Sequence, residues 1–364
     1  MGKNIIICFD GTCNHPSDAH QEREWLGFGD IEDSGITNIL KLHVMFGGDL
    51  QNKAQSSSQH SLYYSGVGTY GNFFQRIFNA GLAPANLDVG RIIKNAGRDL
   101  AGIYTPDDQI SIFGFSRGAA IARRFATVID QYIAVEKSTQ PIRFLGVFDT
   151  VASIGLPNLD DDEKPVSDVV FENGTISPFV QEALHLLALD ENRTAFMPTL
   201  MNKDKRVTEV WFPGAHSDVG GGFWYDGLSD VTLDFMLSEI ARRNIGLDVS
   251  NPRDVDYTAL QSPRGDYRVD LEDVFLKPNH RGKSHPRDRW LPVARATFCV
   301  RDVRINIDDR PSPADWPLIH CSVVDRIRDV LEYRPKALKG VPHRIVAKDD
   351  SHQEFKGIID HILE

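Results

Sequence analysis

The pentapeptide Gly114-Phe115-Ser116-Arg117-Gly118 stands between an apolar run, residues 109–115, and a stretch over 117–133 whose Ala, Ile and Phe recur at helical spacing. A G-x-S-x-G turn between strand and helix strains the serine and lifts its Oγ above the sheet. Small residues two positions to either side let the strand and helix pass closely. A serine hydroxyl is a weak nucleophile until a base takes its proton, and the base needs a third group to fix its tautomer. Ser116, Asp149 and His216 follow one another in the order nucleophile, acid, base. Asp149 closes the apolar run 143–148, and His216 follows the run 207–212. All three are thus expected at the C-terminal ends of strands, where an open α/β sheet gathers its ligands.

Each residue also has a plainer reading. Ser116 can be a helix N-cap, and Asp149 a cap at a strand end. His216 can be a structural histidine, although the four glycines Gly214, Gly220, Gly221 and Gly222 around it suggest close backbone approach rather than core packing. Asp218 and Asp190 rival Asp149 as the acid. Asp149 is preferred because it approaches from a separate strand, whereas Asp218 would have to reach back around the base. His320 is the rival base, but it precedes a probable helix capped by Ser322 and reads as structural. The oxyanion of an acyl transfer needs backbone donors. Arg117 N–H, next after the nucleophile, is one, and Gly11 or Thr12, on the loop after the first strand, is the other. The Arg117 side chain is expected to pair with a carboxylate such as Asp10 or to meet an anionic substrate group.

The elements that must position these groups follow from periodicity. Ile5 to Phe9 reads as a central strand. Residues 87–104 carry apolar side chains at helical spacing, and Pro106 stops that helix. A helix is expected over 178–189 and another over 231–243. Strands interleaved with helices imply a mainly parallel central sheet with helices on both faces, and the strand-serine-helix turn with the Ser, Asp, His order makes the expected fold α/β-hydrolase-like, with a lid or insertion region. A catalytic core over 1–245 is expected to hold that insertion, around 153–205. A C-terminal extension over 246–364 is expected to pack on the core as a cap or substrate-binding region.

The totals narrow the function. With 40 Lys and Arg against 51 Asp and Glu, the 364-residue chain carries −11, which disfavours nucleic acid as a partner. Four scattered cysteines without a CxxC pair suggest neither a disulfide framework nor a thiolate metal site, and no cofactor is implied. The N-terminus is too short in apolar residues for a secretory leader, and no apolar run is long enough to span a bilayer. A cytoplasmic location with at most peripheral membrane contact is expected, with export by a specialised secretion system left open.

The motifs Phe9-Asp10-Gly11-Thr12-Cys13-Asn14, Gly66-Val67-Gly68-Thr69, Gly114-Phe115-Ser116-Arg117-Gly118-Ala119, Val147-Phe148-Asp149-Thr150-Val151 and Gly214-Ala215-His216-Ser217-Asp218-Val219-Gly220-Gly221 together resemble one family. It is the alpha/beta hydrolase domain family that includes the catalytic domain of type VI secretion phospholipase effectors. Further matches run from His185 through Asp190-Glu191-Asn192-Arg193, and from Ile319-His320 to Tyr333-Arg334-Pro335. The resemblance implies hydrolysis of carboxylic esters, notably phospholipid acyl chains, by Ser116, Asp149 and His216. Cys13 stands where an aromatic residue is common in the family. Phe9-Asp10-Gly11-Thr12 also resembles the DxDGT phosphatase motif, but Cys8 occupies the place of the nucleophilic aspartate, so that chemistry fails. Two other functions stay open at this point. One is a metal-dependent hydrolase built on Asp10, Asp149, His216 and Asp218, and the other is a non-catalytic binding protein on the same fold.

Overall fold

The structure, a computed structural model, describes residues 2–11, 35–53, 56–66, 86–135, 139–152, 174–261, 267–285, 298–346, 352–358 and 360–363. Thr12, the Cys13 position, residues 67–69 of the glycine motif and the polar stretch 158–164 lie outside them.

Strands bounded by turns form the middle of the molecule, and several of them are near-continuous apolar runs because a parallel strand covered on both faces has no polar side. They are β1 (Asn4–Phe9), β2 (Gln59–Tyr64), β3 (Gln109–Phe115), β4 (Ile142–Phe148), β5 (Val180–Ala188) and β6 (Val207–Phe212). After a small hairpin, β7 (Asn306–Ile307) with β8 (Arg310–Pro311), come β9 (Leu318–His320), β10 (His343–Val346) and β11 (His352–Phe355). The main sheet has nine strands in the order β11-β10-β9-β6-β5-β4-β3-β1-β2. All its neighbours run parallel except β10 and β11. The strands that follow residue 245 therefore continue the sheet begun by β1 to β6.

Alternate side chains on each strand feed two cores. Ile6, Cys8, Phe113, Phe115, Phe148 and Leu186 enter one, with α1 (Asn38–Met45) and α5 (Gly227–Arg242) packed on it. Ile5, Ile7, Phe9, Ile112 and Val147 enter the other, beneath α2 (Asn86–Ile103) and α3 (Ser116–Val128). Between α3 and α5 lies the short α4 (His216–Gly220). A third cluster around Trp211, Ile319 and Leu338 lies under α6 (Cys321–Asp329). The mainly parallel sheet with helices on both faces agrees with the expected fold class.

One element differs from the expectation. Residues 178–189 hold no helix; Val180–Ala188 of them form the strand β5, paired on one side with β4 and on the other with β6. Burial on both faces removes the period-two signature of a strand, and polar Gln181, Glu182 and His185 leave an apolar spacing that mimics a helix. Glu182 is instead taken up by Arg143 at 2.8 Å, near the start of the neighbouring strand. β5 falls within the span 153–205 that the sequence suggested as an insertion; residues 153–173, where a lid would begin, are among those not described.

Register turns sequence into a site. Phe9 pairs with Gly114, Phe115 with Phe148, Phe148 with Leu186, and Ala188 with Phe212. Asp10, Ser116, Asp149, Leu189 and Pro213 therefore leave the sheet along one edge. Moreover, β1 to β2 runs one way along the sheet while β3 and its successors run the other, so the crevice between β1 and β3 is a topological switch point, the favoured ligand position of such sheets.

The crossing of α3 over β1 has almost no clearance. A Cβ on Gly118 would sit 2.2 Å from the Phe9 carbonyl oxygen and 2.3 Å from that of Asp10. Both are backbone atoms and cannot swing aside. Gly118→Ala should therefore cost about 1–3 kcal/mol through overpacking. Gly90→Ala, on an exposed face of α2 with nothing near the new methyl, should be neutral or stabilising by about 0.5–1 kcal/mol. Thermal unfolding of the two variants checks this, and equal melting temperatures would refute the close crossing.

Candidate active site

Ser116 opens α3 with φ 57°, the left-handed region that a non-glycine residue occupies at a cost of about 1–3 kcal/mol. The helix cap is the extended Phe115, without a side-chain cap bond, so the N-cap reading of Ser116 does not describe its place. The strained turn is clamped from both sides. Gly118 lies against β1, and the Ser116 carbonyl accepts the N–H of Val151 at 3.2 Å, which ties the turn to the loop after β4.

Asp149, the first residue after β4, also has positive φ, 35°. Its carboxylate is buried, and four donors surround it. Oδ1 accepts the Ala188 N–H at 3.1 Å and Arg301 Nη1 at 3.0 Å. Oδ2 accepts His216 Nδ1 at 2.6 Å and Arg301 Nη2 at 2.9 Å. Burial alone would raise the pKa; the Arg301 charge, followed by the bond from His216, overcomes it and holds the carboxyl well below the usual range.

His216 is the first residue of α4. Its ring packs against Phe115, with centroids 4.7 Å apart, and against the edge of Phe196 at 4.9 Å. Gly220, one turn on, makes room for this packing, since a Cβ there would meet the Phe115 ring at 2.0 Å. With Nδ1 donating to Asp149, the neutral ring presents Nε2 as a lone pair. Nε2 is buried and has no hydrogen-bond partner among the described residues. Burial lowers the His216 pKa against the pull of Asp149 and Glu191, and nearby Arg193 lowers it further, which favours the neutral ring.

The other expected residues have separate duties. Asp10 receives the Thr37 hydroxyl at 2.6 Å, the Tyr63 hydroxyl at 2.5 Å and the Gly11 N–H at 2.6 Å. Burial nevertheless pushes its pKa up to about 6, against these hydrogen bonds. The Gly11 N–H named for the oxyanion is thus turned toward its neighbour's carboxylate. Arg117 is buried in the first turn of α3, where backbone N–H groups have no intrahelical acceptor. Cys8, beside Asp10, is a buried thiol whose pKa desolvation drives far up, so it is inert.

The rival acids face elsewhere. Asp218 bonds His285 Nδ1 at 2.6 Å and accepts the Ala215 N–H at 2.9 Å. Asp190 accepts the Gly214 N–H at 2.7 Å and the Tyr333 hydroxyl at 2.8 Å. The four residues of the metal alternative thus split: Asp149 joins His216, while Asp10 and Asp218 hold other groups. No cluster of metal-ligating side chains occurs among the described residues. His320 ends β9, stacks on Phe212 at 4.5 Å and itself caps α6 by accepting the Ser322 N–H. The cap is the histidine rather than the serine.

Three supports escaped the sequence reading. His185 accepts the Thr150 N–H on Nε2 at 3.1 Å, so its Nδ1 donates to Glu209 at 2.7 Å, fixing the backbone beside Asp149. Glu191 accepts the His216 N–H at 3.3 Å and holds Arg193 by both carboxylate oxygens. Arg301 lies 152 residues from Asp149. His185 and the Glu191 and Arg193 pair lie in a stretch that carries the family resemblance, where they had no role assigned; Arg301 belongs to no local pattern.

Comparison with known proteins adds the family. A family model described as T6SS, phospholipase effector Tle1-like, catalytic domain matches residues 3–140 and 130–239. An uncharacterized Saccharomyces cerevisiae protein, YEL023C, is 28% identical over 250 residues, covering 54% of this chain and 32% of that protein. The solved structure of the Tle1 effector bound to the VgrG spike of the type 6 secretion system is 27% identical, with TM-score 0.39, over 61% of this chain and 51% of that one. An uncharacterized Pseudomonas aeruginosa protein is 20% identical, with TM-score 0.45, over 77% of this chain and 49% of that one. The chain spans about a third of the curated relative and about half of each solved one. With the match covering residues 3 to 239 of 364, the chain belongs to the family of T6SS phospholipase effector Tle1-like catalytic domains.

Proposed function

We propose that the chain is a serine hydrolase that cleaves carboxylic esters, with acyl chains of lipids as its substrate class. The observation that carries this is the His216 ring, bonded through Nδ1 to Asp149, its Nε2 unpartnered and its face against the residue that precedes the strained Ser116. The family's phospholipase description supports the choice of ester over amide.

On this reading Nε2 takes the Ser116 proton as Oγ attacks the acyl carbon, and the ester carbonyl becomes a tetrahedral oxyanion. The Arg117 N–H is its first donor. Gly11 or Thr12 supplies the second, which requires the Gly11 N–H to leave Asp10. Collapse breaks the C–O bond, and the imidazolium gives its proton to the departing alcohol. Water, deprotonated by the same nitrogen, then releases the acid and restores Ser116. No helix among the described residues is long and apolar enough to cross a membrane. A lipid substrate would thus be met from the membrane surface, and delivery by a secretion machine, as the family's description suggests, is part of this proposal.

The tests use p-nitrophenyl esters of rising chain length beside phospholipid vesicles. Ser116→Ala and His216→Ala should each lower kcat by at least about a thousandfold, and the double variant should be no worse, because the groups act as one unit. A fluorophosphonate probe should label the native chain and not Ser116→Ala; hydrolysis that survives Ser116→Ala would sink the reading. Asp149→Asn should lower kcat by roughly four orders of magnitude through the wrong His216 tautomer, and a mild loss would return the acid to Asp218 or Asp190. The lowered His216 pKa keeps the base unprotonated as pH falls past the ordinary histidine value of 6.5, so kcat/KM should hold its plateau to below that pH. A chelator should leave the rate unchanged, and loss on chelation would favour a metal mechanism.

A further inference from the structure

We propose that Arg301 is the positioning residue of the acid and base pair: it locks the Asp149 carboxylate onto His216, and its charge lowers the pH at which the pair takes up a proton. The inference rests on the hydrolase reading for its meaning, but its central measurement does not need turnover.

The guanidinium meets Asp149 edge on, Nη1 to Oδ1 at 3.0 Å and Nη2 to Oδ2 at 2.9 Å, the bidentate geometry that matches two planar groups. Nη2 also donates to the Phe196 carbonyl at 2.8 Å, and the Phe196 ring packs on His216. Both charged side chains are fully enclosed, with 0% exposure each. With the Ala188 N–H and His216 Nδ1, the acceptor positions of Asp149 are filled, and rotation of the carboxylate would break charged bonds in a fully buried site.

The same contact has an electrostatic consequence. A neutral His216 beside a lone Asp149 would carry a net charge of −1; with Arg301 the group is neutral, and protonation takes it to +1. The cation therefore opposes proton uptake by the pair, wherever within it the proton resides. Among the described residues the other charges acting on His216 are Glu191, which accepts its backbone N–H and favours the protonated ring, and Arg193, which is paired with Glu191 and opposes protonation without contacting the ring. Arg301 is thus the one cation in direct contact with the pair among the described residues. It comes from beyond residue 239, where the family match ends, so the C-terminal part of the chain supplies a charge to the centre of the site.

A structural role alone would predict lost stability and nothing else. The test therefore compares Arg301→Gln and Arg301→Lys in the full chain, following the His216 imidazole by NMR titration and the pH dependence of kcat/KM. In Arg301→Gln the imidazole titration should move up by on the order of one pH unit or more, the scale of a contact charge, and the acid limb of kcat/KM should follow it. Arg301→Lys keeps the charge but not the fork, so its titration should stay near the native position while kcat falls about tenfold or more at unchanged KM. An unshifted titration in Arg301→Gln overturns the proposal. If that variant fails to fold, native kcat in Arg301→Lys overturns it instead. A native chain that neither hydrolyses esters nor takes the fluorophosphonate label, but whose titration shifts in Arg301→Gln, would remove the hydrolase reading and leave the electrostatic one standing.

Discussion

A carboxylate with no access to water must be met by donors from the protein, and at Asp149 that demand draws together most of the molecule. Its partners come from the end of β5 (Ala188), the start of α4 (His216) and the segment before β7 (Arg301). An ionised carboxylate deprived of those partners would cost several kcal/mol and would take up a proton instead. The imidazole is therefore aligned by the same contacts that make the buried charge tolerable. Orientation of the His216 ring and solvation of the Asp149 carboxylate are one interaction.

The Ser116 turn depends on a second constraint, steric rather than electrostatic. Ser116 occupies φ 57° because α3 must leave β3 while passing directly over the Phe9 and Asp10 carbonyls. The strain is carried by close backbone contacts that a glycine at 118 allows and any Cβ would disturb. Val151, on the Asp149 loop, then holds the Ser116 carbonyl. The strained turn and the buried acid thus share a loop, and movement of one element would be felt by the other.

Much of this was legible in the residue string because it is local. Apolar runs ending at Phe9, Phe115, Phe148 and Phe212 marked the strands, and the residues just beyond them marked the edge where chemistry gathers. Glycine spacing around Ser116 revealed the close crossing, and the order of Ser116, Asp149 and His216 proposed the grouping. What stayed hidden is non-local or two-sided. β5 was misread because burial on both faces erases strand periodicity, and only pairing with β4 and β6 distinguishes it from a helix. Arg301 was missed because a buried ion pair between residues 152 positions apart leaves no spacing signature. The cap of α6 was assigned to Ser322 because hydroxyls usually hold that place, whereas the His320 ring reaches the same N–H.

The distribution of the acidic side chains bears on the chemistries that the sequence left open. A hydrolytic metal centre needs several oxygen and nitrogen donors aimed at one point and a position left for water. Here Asp10 is turned to Thr37 and Tyr63, Asp218 to His285, and Asp149 to a guanidinium. A cation placed beside Asp149 would have to displace Arg301 from a fully enclosed bidentate bond, exchanging one positive charge for another at the expense of two hydrogen bonds. A non-catalytic protein on this fold, by contrast, would have no reason to keep a strained serine together with a buried imidazole whose outer nitrogen is unpartnered, since each costs stability. Both costs make sense together if the serine hydroxyl gives its proton to that nitrogen during turnover.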